Sequence, residues 1–129
     1  MKKALATVVA VMALISQVAL ADPPNAVGIS IVKDRIMVTA MHATKDVNKH
    51  FIGQIEVFIN GVKLIDQKFI RQANGNMQIA QYICPGLKAG DKVSATATCN
   101  ITGSKTTEIV VQQADTMHPV DKPFGEKKQ

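Results

Sequence analysis

The side chains with the most chemistry in this chain are three histidines and two cysteines. Two of the histidines bracket one short polar stretch, His42-Ala-Thr-Lys-Asp-Val-Asn-Lys-His50, which lies between two runs of β-forming residues. Both imidazoles therefore flank a single connecting loop. A neutral imidazole nitrogen and a thiolate sulfur are good ligands for iron, zinc or copper, and Cys99 offers a sulfur from a distant part of the chain. The plainer alternative is a pair of solvated loop histidines. His118, beside Met117 near the C-terminus, is the one further imidazole.

Short strands must position these residues. Val27, Ile29 and Ile31 alternate with Gly28 and Ser30, and after Lys33-Asp34 the residues Ile36, Val38 and Ala40 alternate with Met37, Thr39 and Met41, which predicts a hairpin. Residues 51–59 and 62–70 form a second pair of β-rich runs, and the Asn60-Gly61 between them calls for a tight type I′ turn. Further strands are expected over 77–84, 92–99 and 105–112, separated by turn-rich segments at 73–76, 85–91 and 100–104. No window carries a helical period. The expectation is an all-β fold, an immunoglobulin-like antiparallel β-sandwich of about seven strands over residues 22–112, with a closed barrel as the competing architecture. Loops at one end of a sandwich converge from distant positions, which is how the 42–50 loop and Cys99 would meet.

The first 21 residues read as Lys2-Lys3, an apolar run and Ala19-Leu20-Ala21, the pattern of a secretory signal peptide cleaved after Ala21. The run is too short for a span of roughly 20 residues, and nothing after it is long or apolar enough to cross a membrane as a helix. The expected location is periplasmic or secreted. Losing Lys2 and Lys3 takes the formal net charge from +5 to +3. The remaining basic residues are scattered, aromatics are 4% of the chain and Trp is absent, so a nucleic-acid interface is not expected. A mildly basic surface does favour small anions. The chain contains neither a phosphate-cradling glycine loop nor a Gly-x-Ser-x-Gly elbow, which speaks against nucleotide-dependent and serine-hydrolase chemistry. Residues 113–129, with two prolines and many charges, read as a flexible tail. Edge strands of a small sandwich often pair, which makes a homodimer plausible.

Export also bears on the two cysteines, because a pair in an oxidising compartment usually forms a disulfide. Geometry opposes this if strands 77–84 and 92–99 pair directly across the 85–91 loop. Cys84 then sits beside the loop, while Cys99 lies roughly 23 Å away at about 3.3 Å per residue. A disulfide needs Cα atoms within about 7 Å. On that pairing Cys99 is a free thiol and Cys84 a small buried apolar residue; other pairings leave the bridge open.

Taken together, His42, Lys49-His50-Phe51-Ile52, the run from Ile55 to Asn60-Gly61, and Cys99-Asn100-Ile101-Thr102-Gly103 resemble the iron-binding domain of desulfoferrodoxin and neelaredoxin, the superoxide reductases, over about residues 27–111. The resemblance implies an immunoglobulin-like sandwich. It also implies one mononuclear non-haem iron, held by four histidine nitrogens with a cysteine sulfur trans to an open position. By that resemblance His42 and His50 are equatorial ligands and Cys99 is the axial thiolate. The implied reaction is one-electron reduction of superoxide to peroxide, with the thiolate pushing electron density onto the metal as in thiolate-ligated haem. The electron donor is not identified. A cation near the open position would attract the anion, and Lys49, beside His50, is the residue expected to do so.

The departures are specific. The family's N-terminal Glu-Lys-His-x-Pro has no counterpart: the mature chain begins Asp22-Pro23-Pro24-Asn25, and no histidine precedes His42. Thr102 stands where Cys-Asn-x-His places a histidine, the 42–50 loop is two residues longer than usual, and Ala43 replaces the usual proline. Three of the five implied ligands therefore have candidates. Fewer nitrogen donors weaken iron binding, alter its potential and bear on the choice of metal. A second resemblance, carried by the Phe51 to Gly61 stretch and Gly90-Asp91-Lys92-Val93, is to the small subunit of the sulfur-oxidation carrier complex, a non-catalytic partner module. The separate export signal and the Cys99-Asn100 match favour the iron family.

Overall fold

The computed structural model describes residues 23–116. The proposed signal segment, and residues 117–129 with His118, lie outside the described residues. Seven antiparallel strands form two sheets. Strands β1 (Ala26–Val32), β2 (Arg35–Met41) and β5 (Met77–Ile83) make one, in the order β1-β2-β5. Strands β3 (Ile52–Ile59), β4 (Val62–Lys68), β6 (Lys92–Cys99) and β7 (Ser104–Val110) make the other, in the order β4-β3-β6-β7. The architecture is a β-sandwich.

Local sequence explains the hairpins. β1 and β2 pair from Val32↔Arg35 outward, turning through Lys33 at φ 58°. β3 and β4 are joined by Asn60 and Gly61 at φ 49° and 81°, the left-handed pair that a type I′ turn requires. The alternation of apolar and polar residues then decides what is buried. Ile36, Val38 and Ala40 of β2, Ile55 and Val57 of β3, and Val93, Ala95 and Ala97 of β6 are all fully buried between the sheets. Each buried isoleucine or valine contributes about 1.5–3 kcal/mol relative to exposure. A register shift between Ile52 and Gln54 changes the parity of β3, so that Ile52 faces the core as well as Ile55.

One conditional expectation fails. β5 and β6 are not a hairpin, because they belong to different sheets. The Cys84 N–H, just after β5, donates to the Asp34 carbonyl at the β1–β2 turn, whereas Asp91, just before β6, accepts from the Val111 N–H beside β7. The 85–91 segment thus crosses between the layers. The cysteines are nonetheless both free and both buried. Part of the stretch expected as a tail is folded: α1 (Gln113–Thr116) is a single turn whose Asp115 carbonyl accepts from the Lys33 N–H.

Candidate metal centre

His42 and Cys99 are delivered by strand alternation. The inward row of β2, Ile36, Val38 and Ala40, continues one step past the strand to His42, which is 1% exposed. The inward row of β6, Val93, Ala95 and Ala97, ends on Cys99, which is 4% exposed. These strands lie in opposite sheets, so the imidazole and the thiol meet between the layers at one end of the sandwich. His50 arrives from the loop. The Asp46 carbonyl accepts from the N–H groups of Lys49 (3.2 Å) and His50 (3.0 Å), and the Asp46 Oδ1 accepts from the Asn48 N–H (3.0 Å). This single turn ends beside Ile52, the cross-strand partner of Cys99. One ring nitrogen of each histidine and the Cys99 Sγ all lie within 4.8 Å of one another. The two imidazoles meet edge to face, with centroids 4.7 Å apart and planes at 85°.

Two amide side chains fix this arrangement, Gln72, which the sequence did not single out, and Asn100, which it offered only within the Cys99-Asn100 match. Gln72, fully buried, uses its whole hydrogen-bonding capacity. Its Nε2 donates to the carbonyls of His42 (2.7 Å) and Asn74 (2.8 Å), and its Oε1 accepts from the Ile52 N–H (3.1 Å). The amide therefore has one orientation, and its Oε1 also accepts from the His42 Nδ1 at 2.9 Å. With its proton on Nδ1, neutral His42 carries its lone pair on Nε2, the state in which an imidazole is a ligand. Asn100 performs a similar task across the chain. Its Oδ1 accepts from the Phe51 N–H (2.9 Å) and its Nδ2 donates to the Lys49 carbonyl (2.9 Å), which clamps both sides of His50 to the residue after Cys99. Gly53 permits the approach, since a Cβ there would stand 3.2 Å from the Asn100 Cβ. Neither amide has a metal-ligand side chain or spacing that would single it out; the Cys-Asn dipeptide was the one available cue.

The donor chemistry fits a bound ion. The His50 Nε2 is buried with no hydrogen-bond partner among the described residues, an expensive state for a polar atom unless something else engages it. Bonds of about 2.1 Å to nitrogen and 2.3 Å to sulfur put donors on one ion about 3.4–3.8 Å apart in tetrahedral or trigonal geometry, so a shared ion asks the widest pair to close by about 1 Å. The fuller ligand set implied by the resemblance is not assembled here. Among the described residues the cluster holds two histidines, one cysteine and no carboxylate, and Thr102 is exposed in the 99–103 turn.

Cys84 is not one of the clustered donors. Lys49 is exposed; its N–H belongs to the turn and its carbonyl to the Asn100 clamp. Lys45 lines an open cleft of about 600 Å³ that reaches His50, together with Thr44, Asp46 and Asn76. Cys84 lies at the opposite end of the sandwich, in a cleft shared with Asn60 and Asp91. Burial pushes its thiol up from the ordinary range, and the nearby carboxylates of Asp91 and Asp34 add to this.

No family model and no curated protein matches this chain. Among solved structures, a superoxide reductase (1Fe-SOR) from Giardia intestinalis is similar, with a TM-score of 0.55 and 19% sequence identity over 70% of this chain and 100% of that one. An identity this low speaks to architecture alone. The chain thus has a superoxide-reductase-like β-sandwich with a candidate metal site of His42, His50 and Cys99 at one end.

Proposed function

We propose that this chain is an exported mononuclear metal protein of the superoxide-reductase kind, in which His42, His50 and Cys99 hold one redox-active ion and leave positions open to a small anion. The observation that carries the reading is the convergence of three donors from separate parts of the chain, all within 4.8 Å, one of them a buried imidazole nitrogen with no hydrogen-bond partner among the described residues. A thiolate-ligated iron, the ion that the family resemblance implies, supplies one-electron transfer to an anion such as superoxide when bound.

The chain's own residues do the rest. Gln72 holds His42 in the ligating tautomer, and Asn100 keeps His50 against Cys99. Burial of His42 and Cys99 keeps bulk water from competing for the donors. Lys45 faces the cleft beside the Asp46 carboxylate, and the exposed Lys49 adds a second cation next to His50, a small positive excess that favours small anions and is screened by salt. The carrier-module alternative gives the imidazoles no part and predicts that Cys99→Ser is silent.

The test is metal analysis of the chain purified without oxygen. One ion per chain is expected, lost in both Cys99→Ser and His50→Ala while the β-sheet circular dichroism persists. A folded protein that stays metal-free at saturating metal would overturn the proposal. Export is tested separately, by sequencing the mature N-terminus, which is expected at Asp22.

A further inference from the structure

The number and softness of the donors bear on which ion this site prefers. The described residues bring together two imidazoles and one thiolate, with no carboxylate in the cluster. Carboxylate, carbonyl and water ligands suit hard ions, whereas imidazole with thiolate suits softer ones. The donors among the described residues supply only half of the six ligands an iron ion favours, in a place where two of these three are less than 5% exposed. Two imidazoles and one thiolate are a sufficient protein set for copper, and copper(II) stands at the top of the affinity order of the divalent first-row metals, above both iron and zinc.

From this we infer that the His42, His50 and Cys99 site takes copper in preference to iron. The inference rests on the metal reading above and names its ion. The surroundings suit that assignment. Gln72 engages the His42 Nδ1, and among the described residues the set is two imidazoles, one ligand nitrogen from each, and one sulfur. The Asn100 Oδ1, 3.9 Å from the Cys99 Sγ, already accepts from the Phe51 N–H and is held in place. The immediate surroundings of the sulfur are therefore fixed, and in thiolate-copper sites those surroundings tune the potential. Thr102, at the position where the family resemblance implies a further imidazole, leaves the donor count at three among the described residues.

The experiment uses the full chain, stripped of metal by a chelator and titrated without oxygen with copper(II), zinc(II) and iron(II) separately and in competition. A parallel titration with copper(I) against a chromogenic chelator covers reduction of copper(II) by the thiol. The expected result is one copper per chain, bound at least about tenfold more tightly than iron(II). Copper(II) should also give an intense visible sulfur-to-copper charge-transfer band, absent in Cys99→Ser and retained in Cys84→Ser. Iron or zinc binding more tightly than copper at these residues would overturn the copper inference and leave the metal reading standing. Copper that binds equally well in Cys99→Ser would overturn it as an adventitious site. Failure of all three metals to bind would overturn both.

Discussion

Gln72 offers the sharpest separation between holding the fold together and preparing a ligand. Replacing it with leucine strands the Ile52 N–H, the His42 Nδ1–H and the carbonyls of His42 and Asn74, all of which it now satisfies. A buried polar group left without its partner costs about 1–3 kcal/mol. With some relaxation and water entry, Gln72→Leu should lose on the order of 3 kcal/mol, a large part of the roughly 5–15 kcal/mol typical of a whole domain. It also frees the His42 tautomer, and loss of a partner behind a ligand typically lowers metal affinity by about 10–100-fold. Gln72→Glu dissects the two effects. A carboxylate still accepts from His42 and Ile52 but cannot donate to the two carbonyls, so stability should fall while metal affinity holds or rises, since a carboxylate makes the imidazole a better donor. Denaturant unfolding of the metal-free protein gives the first quantity, and competition titration the second. If leucine left affinity unchanged, or glutamate lowered it as much as leucine, the tautomer argument would be wrong.

Denatured protein, never reduced, should titrate for both thiols of Cys84 and Cys99, and a mass two hydrogens light would mean a disulfide. The Tyr82 hydroxyl is buried without a hydrogen-bond partner among the described residues, and burial pushes it up to about 12. Tyr82→Phe should therefore be neutral or stabilise by up to about 1 kcal/mol in denaturant unfolding. Wild type should also lose stability as pH rises from about 10 toward about 12, because the unfolded chain ionises first, and Tyr82→Phe should not show that alkaline loss. The Lys88 N–H and the Asn60 amide hold the Asp91 carboxyl below its ordinary 3.8. Its contribution is present above that pH and disappears as pH falls through the lower native value, so the stability gap between wild type and Asp91→Asn should narrow as pH falls below 3.8. A gap independent of pH would remove Asp91 from the acid limb.

The strands were legible because their signals are local. The Asn60-Gly61 turn, the parity of Ile36, Val38 and Ala40, and that of Val93, Ala95 and Ala97 each need only a few neighbouring residues. That parity also aims His42 and Cys99 inward, so much of the candidate centre can be read from two alternating rows. The partition of strands between sheets was not legible. β5 and β6 are consecutive yet pair with β2 and β3 respectively, and only the packed layers reveal that. Gln72 was equally hidden, since its role depends on the 69–76 connection folding back over Ile52 and His42, through contacts 20 and 30 residues apart. Gln78 belongs to the same fold-back, with its amide donating to the Ile52 and Arg71 carbonyls and accepting from the Ala73 N–H.

The most direct test is X-ray absorption at the metal edge of the protein loaded with one equivalent of ion. If His42, His50 and Cys99 share that ion, the spectrum will contain one sulfur at about 2.3 Å and two imidazole nitrogens at about 2.0 Å, and the sulfur shell will vanish in Cys99→Ser. A first shell of oxygen and nitrogen alone in the wild-type protein would contradict the account.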